Sequence, residues 1–485
     1  TYTTPGTTGG SCTGVMVQNV KIEATTADFN YSASTFCSDD TDPTAIITGV
    51  SGGLFASSTG LVIDPLTGTI DLSASTPGSY DVTYTPPSNF NQFGLDIDGA
   101  AIDDHSGNSI DVNKAGDIMA VGSRYDDPNG LNSGSVTVYK WNDTTWLKYG
   151  NAIYGEFADD NFGWDVALNA AGDRLVVGAQ VSDAGGLNSG QVRVFSYDNG
   201  VWSQLGADID GQSSDDRFGW SVDVNAKGDR IVAGAIYNDV NGSNSGQVRI
   251  YELISGSWVQ LGADIDGEVA GDEFGFSVSI NDLGDRIVAG ARYSNGFGTR
   301  SGQARVFEYN GLAWAQLGND INGRTINTNF GWSVDVNAAG DKIVSSAPYD
   351  FGQQGLTRIF SYSGSTWAQL GQDILGEAGS DRSGEGDGSG VAINDLGDRV
   401  VIGAPLNDGG GSNSGSVRVY EIIGGLWYQL GIDLDAEAAN DRLGYSVTMN
   451  GPGDIIASGA PLNDGGGSNS GHVRVYEKFD LCSQP

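Results

Sequence analysis

The chain of 485 residues carries 61 acidic against 24 basic side chains, a formal charge of −37, with 75 glycines, 12 prolines and 39% hydrophobic residues. A field of that sign repels phosphate backbones and anionic lipid, which excludes nucleic acid as a partner and argues against a membrane-surface role. The Val, Ile, Trp and Tyr content excludes a disordered chain, and no apolar run approaches the ~18 residues that would insert into a bilayer.

Residues 1–16 are rich in Thr and Gly and read as a linker. The chain starts at Thr1 with neither an initiator Met nor a signal-like segment, as a processed product would. Cys12 and Cys37 lie close together and suit a disulfide in an exported protein, with Cys482 the odd third; the alternative pairings stay open. Residues 17–88 carry short β-patterns. Tyr80, Val82 and Tyr84 alternate within SYDVTYT, and GLVIDPLTGTIDL reads as two strands around a Pro/Thr/Gly turn. A small β-sandwich is expected. The stretch from FNYSASTFCSDD to SYDVTYT resembles the tandem repeats of large gliding and adhesion proteins on the surface of Bacteroidota. That resemblance implies an extracellular spacer and export by the type IX route.

From residue 89 to 480 one pattern is written seven times. Its marker asparagine falls at Asn113, Asn169, Asn225, Asn281, Asn337, Asn394 and Asn450, spaced by 56 residues except for one interval of 57. Such a period is the signature of a repeat architecture. Each unit parses into four strands, for example FGWSVDVN (A), RIVAGA (B), QVRIYE (C) and WVQLG (D), with Gly, Asn and Asp at the reversals. Strand B is a continuous apolar run, as befits a strand covered on both faces. An all-β seven-bladed propeller is expected. Its last unit ends without a strand D, and an orphan strand D, Phe90-Asn91-Gln92-Phe93-Gly94, precedes the first unit. An N-terminal outer strand therefore closes the ring, which leaves no unfinished edge. Residues 481–485 form a tail.

The Phe-Gly pairs (Phe162-Gly163, Phe218-Gly219, Phe274-Gly275, Phe330-Gly331) and the Gly-Ala-Pro strand ends (Gly403-Ala404-Pro405, Gly459-Ala460-Pro461) resemble FG-GAP repeats, the unit of the integrin α-chain head and of bacterial surface proteins. The nearest likeness is the bacterial variant with a short A–B turn and Trp-x-Gln-Leu-Gly. It implies a propeller with an exposed interaction role, and it names no single ligand. The calcium ligands of the integrin-type A–B loop do not carry over, because the turn here is VDVNAKGDR, with Ala-Lys in its middle.

Strand order places the D–A and B–C connections at one end of every blade, and that end is acidic. Asp96 and Asp98, Asp208 and Asp210 with Asp215 and Asp216, and Asp264 and Asp266 with Asp272 offer oxygen ligands around glycine turns, as Ca2+ would need. The competing reading has these acids capping turns and pairing with the strand C arginines Arg193, Arg249, Arg305, Arg418 and Arg474. With two histidines, His105 and His472, and no propeller-hydrolase motif, the chain is not expected to be an enzyme. The tryptophans at fixed repeat steps read as packing between blades.

Symmetry fails at one place. Ala347 to Phe360 spans 13 residues where Ala235 to Tyr251 spans 16, and Trp367 to Asn394 spans 27 where Trp258 to Asn281 spans 23. Two readings stand: drift that the ring tolerates, and a docking site, for which the candidates are Tyr349, Asp350, Phe351, Asp381, Arg382, Glu385 and Asp387. The expected function is an extracellular cell-surface adhesion or binding protein that meets a protein or glycan through its acidic loop face. The alternatives are a carbohydrate-binding propeller lectin and a self-associating subunit of a surface appendage.

Overall fold

The computed structural model describes residues 14–20, 29–48, 52–85 and 88–480, which divide into two compact units, the larger comprising residues 91–422 and 426–477. In the smaller unit Ser79–Thr85 lies between Gly14–Val20, to which it runs parallel, and the antiparallel Leu54–Ser57; Thr35–Cys37 flanks the sheet beyond Gly14–Val20. Tyr80, Val82 and Tyr84 point to the core while their neighbours are exposed. They pack there with Phe29, Phe36, Phe55, Leu61, Ile70 and Leu72. The Pro/Thr/Gly turn joins Val62–Ile63 to Ile70–Asp71 as a hairpin. Cys37 is disulfide-bonded; Cys12 and Cys482 lie outside the described residues.

The larger unit is a seven-bladed propeller. In the third blade Phe218–Val224 (A), Arg230–Ala235 (B), Gln247–Ile254 (C) and Ser257–Gln260 (D) pair in that order, all antiparallel. A short fifth strand, Ile265–Asp266, then returns to strand C. From sequence this Ile-Asp step is expected in the D–A loop. It is a strand in every blade, so half of the supposed acidic loop is sheet. In the seventh blade Ser88–Gln92 and Ile97–Asp98 both pair with His472–Asp480, and strand A of the first blade (Ser106–Val112) lies beside that of the seventh (Ser446–Met449). The ring is closed by the N-terminal strands. Among the described residues the one segment that coils is Asp350–Gln353, a turn with Phe351 and Gly352 left-handed, in the shortened B–C loop of the fifth blade, where no helix is expected from the sequence.

The cores lie between blades. Val176, Val192 and Ile209 of the second blade pack on Phe218, Val222, Ile231 and Ala233 of the third, so no blade buries its apolar face alone. The repeated residues are the parts of that contact. The marker asparagine locks the A–B turn: Asn225 accepts from the Asp229 and Arg230 amides at 3.0 and 2.9 Å and donates to Asp229 at 3.0 Å. The strand D tryptophan donates its indole N–H to the blade before it, as Trp258 does to the Leu205 carbonyl at 2.8 Å. The glycine of Gln-Leu-Gly passes beneath that ring; Gly206 has φ +83°, and a Cβ there would lie 2.9 Å from Trp258. The Phe-Gly and Gly-Ala glycines touch each other across blades, and a Cβ on Gly234 would fall on the Gly275 carbonyl.

Candidate functional site

Strand A of each blade lines the central channel. Asp111, Asp165, Asp223 and Asp335 bridge neighbouring blades there, each accepting an amide N–H from the next blade: Leu168, Val222, Ile280 and Ile393, at 2.7–2.8 Å. Desolvation pushes Asp111 up to about 7 and Asp165 and Asp335 up to about 6, and Asp223 rises well above the usual carboxylate range. The cavity they line is about 110 Å³, and Gly388 and Ser389 also line it. At the A–B end Lys114 reaches Asp282 and Asp395, both at 2.7 Å, and spans the opening.

The other end is the mouth, and here the fifth D–A connection departs from the repeat. Residues 384–390 run across the channel. Gly388 accepts from Ser277 and Ser333 at 2.8 and 3.0 Å, Gly386 accepts from the Trp332 indole, and Ser389 accepts from the Val447 amide at 2.9 Å. Asp387 pairs with Arg124 at 3.2 Å and accepts the Tyr445 hydroxyl. The inserted glycines let this loop lie flat against other blades: Gly386 and Gly388 both take positive φ.

An arc of aromatic rings borders the mouth across blades two to five, each at the residue after Phe-Gly. Trp164, Trp220, Phe276 and Trp332 follow one another at centroid distances of 4.8, 5.5 and 5.1 Å, and Trp332 continues to Tyr349 at 5.5 Å. Arginines lie over these rings: Arg124 at 4.6 Å from Trp164, Arg292 at 3.7 Å from Phe276, and Arg382 at 4.8 Å from Tyr349. The indole N–H groups of Trp164 and Trp220 and Nε of Arg124 and Arg217 are buried without an acceptor among the described residues.

The residue before each Phe-Gly position takes a left-handed backbone: His105, Asn161, Arg217, Glu273, Asn329, Arg382 and Arg442 have φ of 50–60°. Asparagine tolerates this; for arginine and glutamate it is uncommon and costs about 1 kcal/mol or more. Three ion pairs form at the mouth, Arg292–Glu273 at 2.7 Å, Arg382–Glu385 at 2.9 Å and Arg124–Asp387. Burial raises both Glu273 and Glu385 despite their arginines. Arg217 and Arg442 have no carboxylate partner among the described residues; Arg217 donates to Gln180 at 2.8 Å. A pocket of about 190 Å³ opens among Trp332, Arg382, Glu385, Asp387, Arg442 and Tyr445.

The docking residues expected from sequence divide. Tyr349, Arg382, Glu385 and Asp387 gather at the mouth. Asp350 instead holds Arg324 at 2.9 Å, with that arginine stacked 3.8 Å from Phe351, and Asp381 accepts the Ala378 amide at 2.8 Å as a turn cap. The nine acids considered for Ca2+ do not converge. Asp208, Asp264 and Asp96 accept the side-chain amides of Gln204, Gln260 and Gln92, and Asp210 and Asp266 those of Gln191 and Gln247. Asp215 accepts from Asn188, Asp216 and Asp272 cap turns at Ser213 and Val269, and Asp98 lies in the strand paired with His472. The one trio of Cys, His or carboxylate atoms within metal-sharing distance among the described residues is Cys37, Asp39 and Asp40, none of them in that set, and Cys37 is already taken by its disulfide. The expected pairing with strand C arginines is found in part. Arg474 meets Asp96 at 2.7 Å and Arg193 lies 3.6 Å from Asp208, whereas Arg249 stacks 3.8 Å from Phe218. Sequence reasoning missed Arg124, Arg217, Arg442 and Tyr445. The signal for the arginines was a charged side chain at a step where other blades carry His, Asn or Glu (Arg217, Arg442) or Gln, Ile or Pro (Arg124); Tyr445 stands at the step of Trp164, Trp220, Phe276 and Trp332, where an aromatic is ordinary.

The FG-GAP repeat profile matches residues 156–195 and 207–251. No curated protein matches the chain. Kuenenia stuttgartiensis hydrazine synthase is similar at 13% identity over 76% of this chain and 94% of that chain, with a TM-score of 0.48. A proposed 6-phosphogluconolactonase from Bacteroides uniformis is similar at 13% identity over 70% of this chain and 88% of that chain, with a TM-score of 0.49. At that identity neither likeness carries a ligand or a reaction over to this chain. Both bear enzyme names, however, and this corrects the expectation that the chain is not an enzyme: that exclusion is withdrawn, and no activity takes its place. The chain carries FG-GAP repeats on a seven-bladed β-propeller.

Proposed function

We propose that this is an exported binding protein of the adhesion type, whose propeller meets its partner at the loop face around the channel mouth. The observation that carries this reading is the pocket at residues 382–387 and 442–445. The sevenfold pattern is broken there by an inserted loop, and charged side chains sit in left-handed conformations that a scaffold would give to Asn or Gly. FG-GAP repeats support a binding role in general. The disulfide at Cys37 supports export, since such bonds persist in oxidising compartments, and the resemblance of residues 17–88 to Bacteroidota surface repeats supports a cell-surface location.

The reading is tested by binding of the labelled protein to surface-exposed material, comparing Tyr349→Ala at the mouth with Lys227→Ala at the opposite end. Loss confined to the mouth variant is expected; equal binding by both overturns the reading. A lectin is the second reading, favoured by a groove of about 630 Å³ between the first two blades. Tyr125 and Phe157 line it beside Asn132, Asn161, Asn188 and Asp183. That combination of aromatic planes and amide or carboxylate groups suits a sugar. Assembly of the purified protein into filaments would select a structural subunit instead.

A further inference from the structure

Taking the loop face as the binding surface, we propose that the mouth pocket binds an acidic sugar, with the carboxylate held by Arg442 and the sugar ring set against Trp332 and Tyr445. Three features of the pocket point to this ligand chemistry.

The first is charge. The chain as a whole is acidic, 61 acids against 24 bases, and five of its seventeen arginines (Arg217, Arg249, Arg300, Arg418 and Arg442) have no carboxylate within ion-pair distance among the described residues. Five arginines stand at this mouth against the three carboxylates Glu273, Glu385 and Asp387, and Arg217 and Arg442 are two of the unpaired ones. Arg442 lines the pocket, and its planar fork of donors matches a carboxylate in two-point fashion. The buried, unpartnered N–H groups of Arg124, Arg217, Trp164 and Trp220 add donors around the same mouth. Arg124 is 9% exposed, and a donor buried so deeply without an acceptor is costly.

The second feature is the mixture of groups in one small space. The pocket wall carries guanidinium groups (Arg382, Arg442), carboxylates (Glu385, Asp387) and aromatic planes (Trp332, Tyr445). An acidic peptide side chain would meet the arginines but bring no donor for the two carboxylates and no ring face for the aromatics. A sugar acid offers a carboxylate to the arginines, hydroxyl donors to the carboxylates and an apolar ring face to the aromatics.

The third is rigidity. The pocket floor is held by the Arg124–Asp387–Tyr445 link and by the Trp332 donation to Gly386, so little order is lost when a ligand enters.

The test is calorimetric titration of the full chain with galacturonate and glucuronate trisaccharides, a neutral galactose trisaccharide and a tri-glutamate peptide. A uronate trisaccharide is expected to bind at least tenfold more tightly than the neutral one. Arg442→Gln should weaken it at least tenfold, Arg442→Lys less, and Lys227→Gln at the other end not at all. Trp332→Phe, which keeps a ring but loses the donor to Gly386, should weaken binding of the uronate severalfold, and melting curves confirm that each variant is folded. Equal affinity for acidic and neutral sugars, or no change in Arg442→Gln, overturns the proposal and leaves the loop-face reading standing. Binding of tri-glutamate as tight as that of the uronates would replace the sugar acid by an acidic peptide. Absence of binding by every probe also sinks the proposal, while the Tyr349→Ala comparison decides the broader reading on its own.

Discussion

Arg124 of the first blade and Asp387 of the inserted loop, 263 residues apart in sequence, meet at 3.2 Å across the channel mouth. The pair is unequal in its surroundings: the arginine side chain is 11% exposed and the aspartate 33%. Removing the aspartate leaves a buried guanidinium without its countercharge, a change that costs about 3–5 kcal/mol in fully buried pairs and less when one member reaches water. Asp387→Asn is expected to destabilise the propeller by roughly 2 kcal/mol. A double-mutant cycle with Arg124→Met in urea should give a coupling above about 1 kcal/mol, whereas additive effects would show that the loop is held by its backbone contacts alone.

Gly206 and Gly256 separate steric contact from backbone conformation. Both have positive φ, +83° and +84°, but a Cβ on Gly206 would meet Trp258 at 2.9 Å, and one on Gly256 would meet nothing within 4 Å. Gly256→Ala is therefore expected to cost about 1–2 kcal/mol, the left-handed penalty. Gly206→Ala should cost more by about 1–3 kcal/mol, as overpacked sites do. Equal losses would mean that the Trp258 ring moves aside freely. Because the same glycine recurs as Gly150, Gly262 and Gly318, each under the next blade's tryptophan, the loss should be similar at every copy.

These contrasts show what in the sequence spoke of structure. The period, the closing strand and the strand B burial were legible because each rests on residues that do one job seven times: Asn225 clamps a turn, Trp258 caps the preceding blade, Gly234 lies against Gly275. The mouth was legible only as a failure of copying. Residues 381–387 stood out by length, but their partners, Arg124 and Tyr445, sit at ordinary repeat positions, and nothing local marks them as neighbours of Asp387. A contact across the axis of a ring links residues hundreds apart, and periodicity is blind to it. The expectation of Ca2+ ligands rests on the same blindness. Asp210 and Asp266 look like loop ligands in sequence, whereas the Ile-Asp step folds back on strand C and each carboxylate is taken by a glutamine there.

Eight of the nine acids considered as metal ligands accept hydrogen bonds from nearby amides or side chains, as Asp216 does from Ser213 and Asn238 at 3.1 and 3.2 Å. Chelation with EDTA is accordingly expected to leave the melting temperature of the propeller within a degree of its starting value. A fall of several degrees that calcium reverses would show a cation bound to the folded state, since such a ligand stabilises by mass action.

The four channel aspartates set the pH dependence. Asp111, Asp165 and Asp335 titrate at about 7, about 6 and about 6 in the folded chain, against 3.8 as the ordinary value, and Asp223 lies well above it. The folded state thus binds more protons than the unfolded one between roughly pH 4 and pH 7, so its stability declines as pH rises through that window. Below it these groups are neutral in both states and their contribution is fully present; above it they are charged in both, and the channel bears the full cost of holding charge. A displacement from 3.8 to about 6 corresponds to about 3 kcal/mol at Asp335 alone. The melting temperature should therefore be higher at pH 5 than at pH 8. The fourth blade shows how to separate the channel from the −37 charge of the whole chain, because Ser279 stands at the same repeat step as Asp335 and still accepts the Val336 amide, at 3.4 Å. Asp335→Ser should flatten the decline between pH 5 and pH 8. An unchanged slope would assign the decline to the surface charge instead.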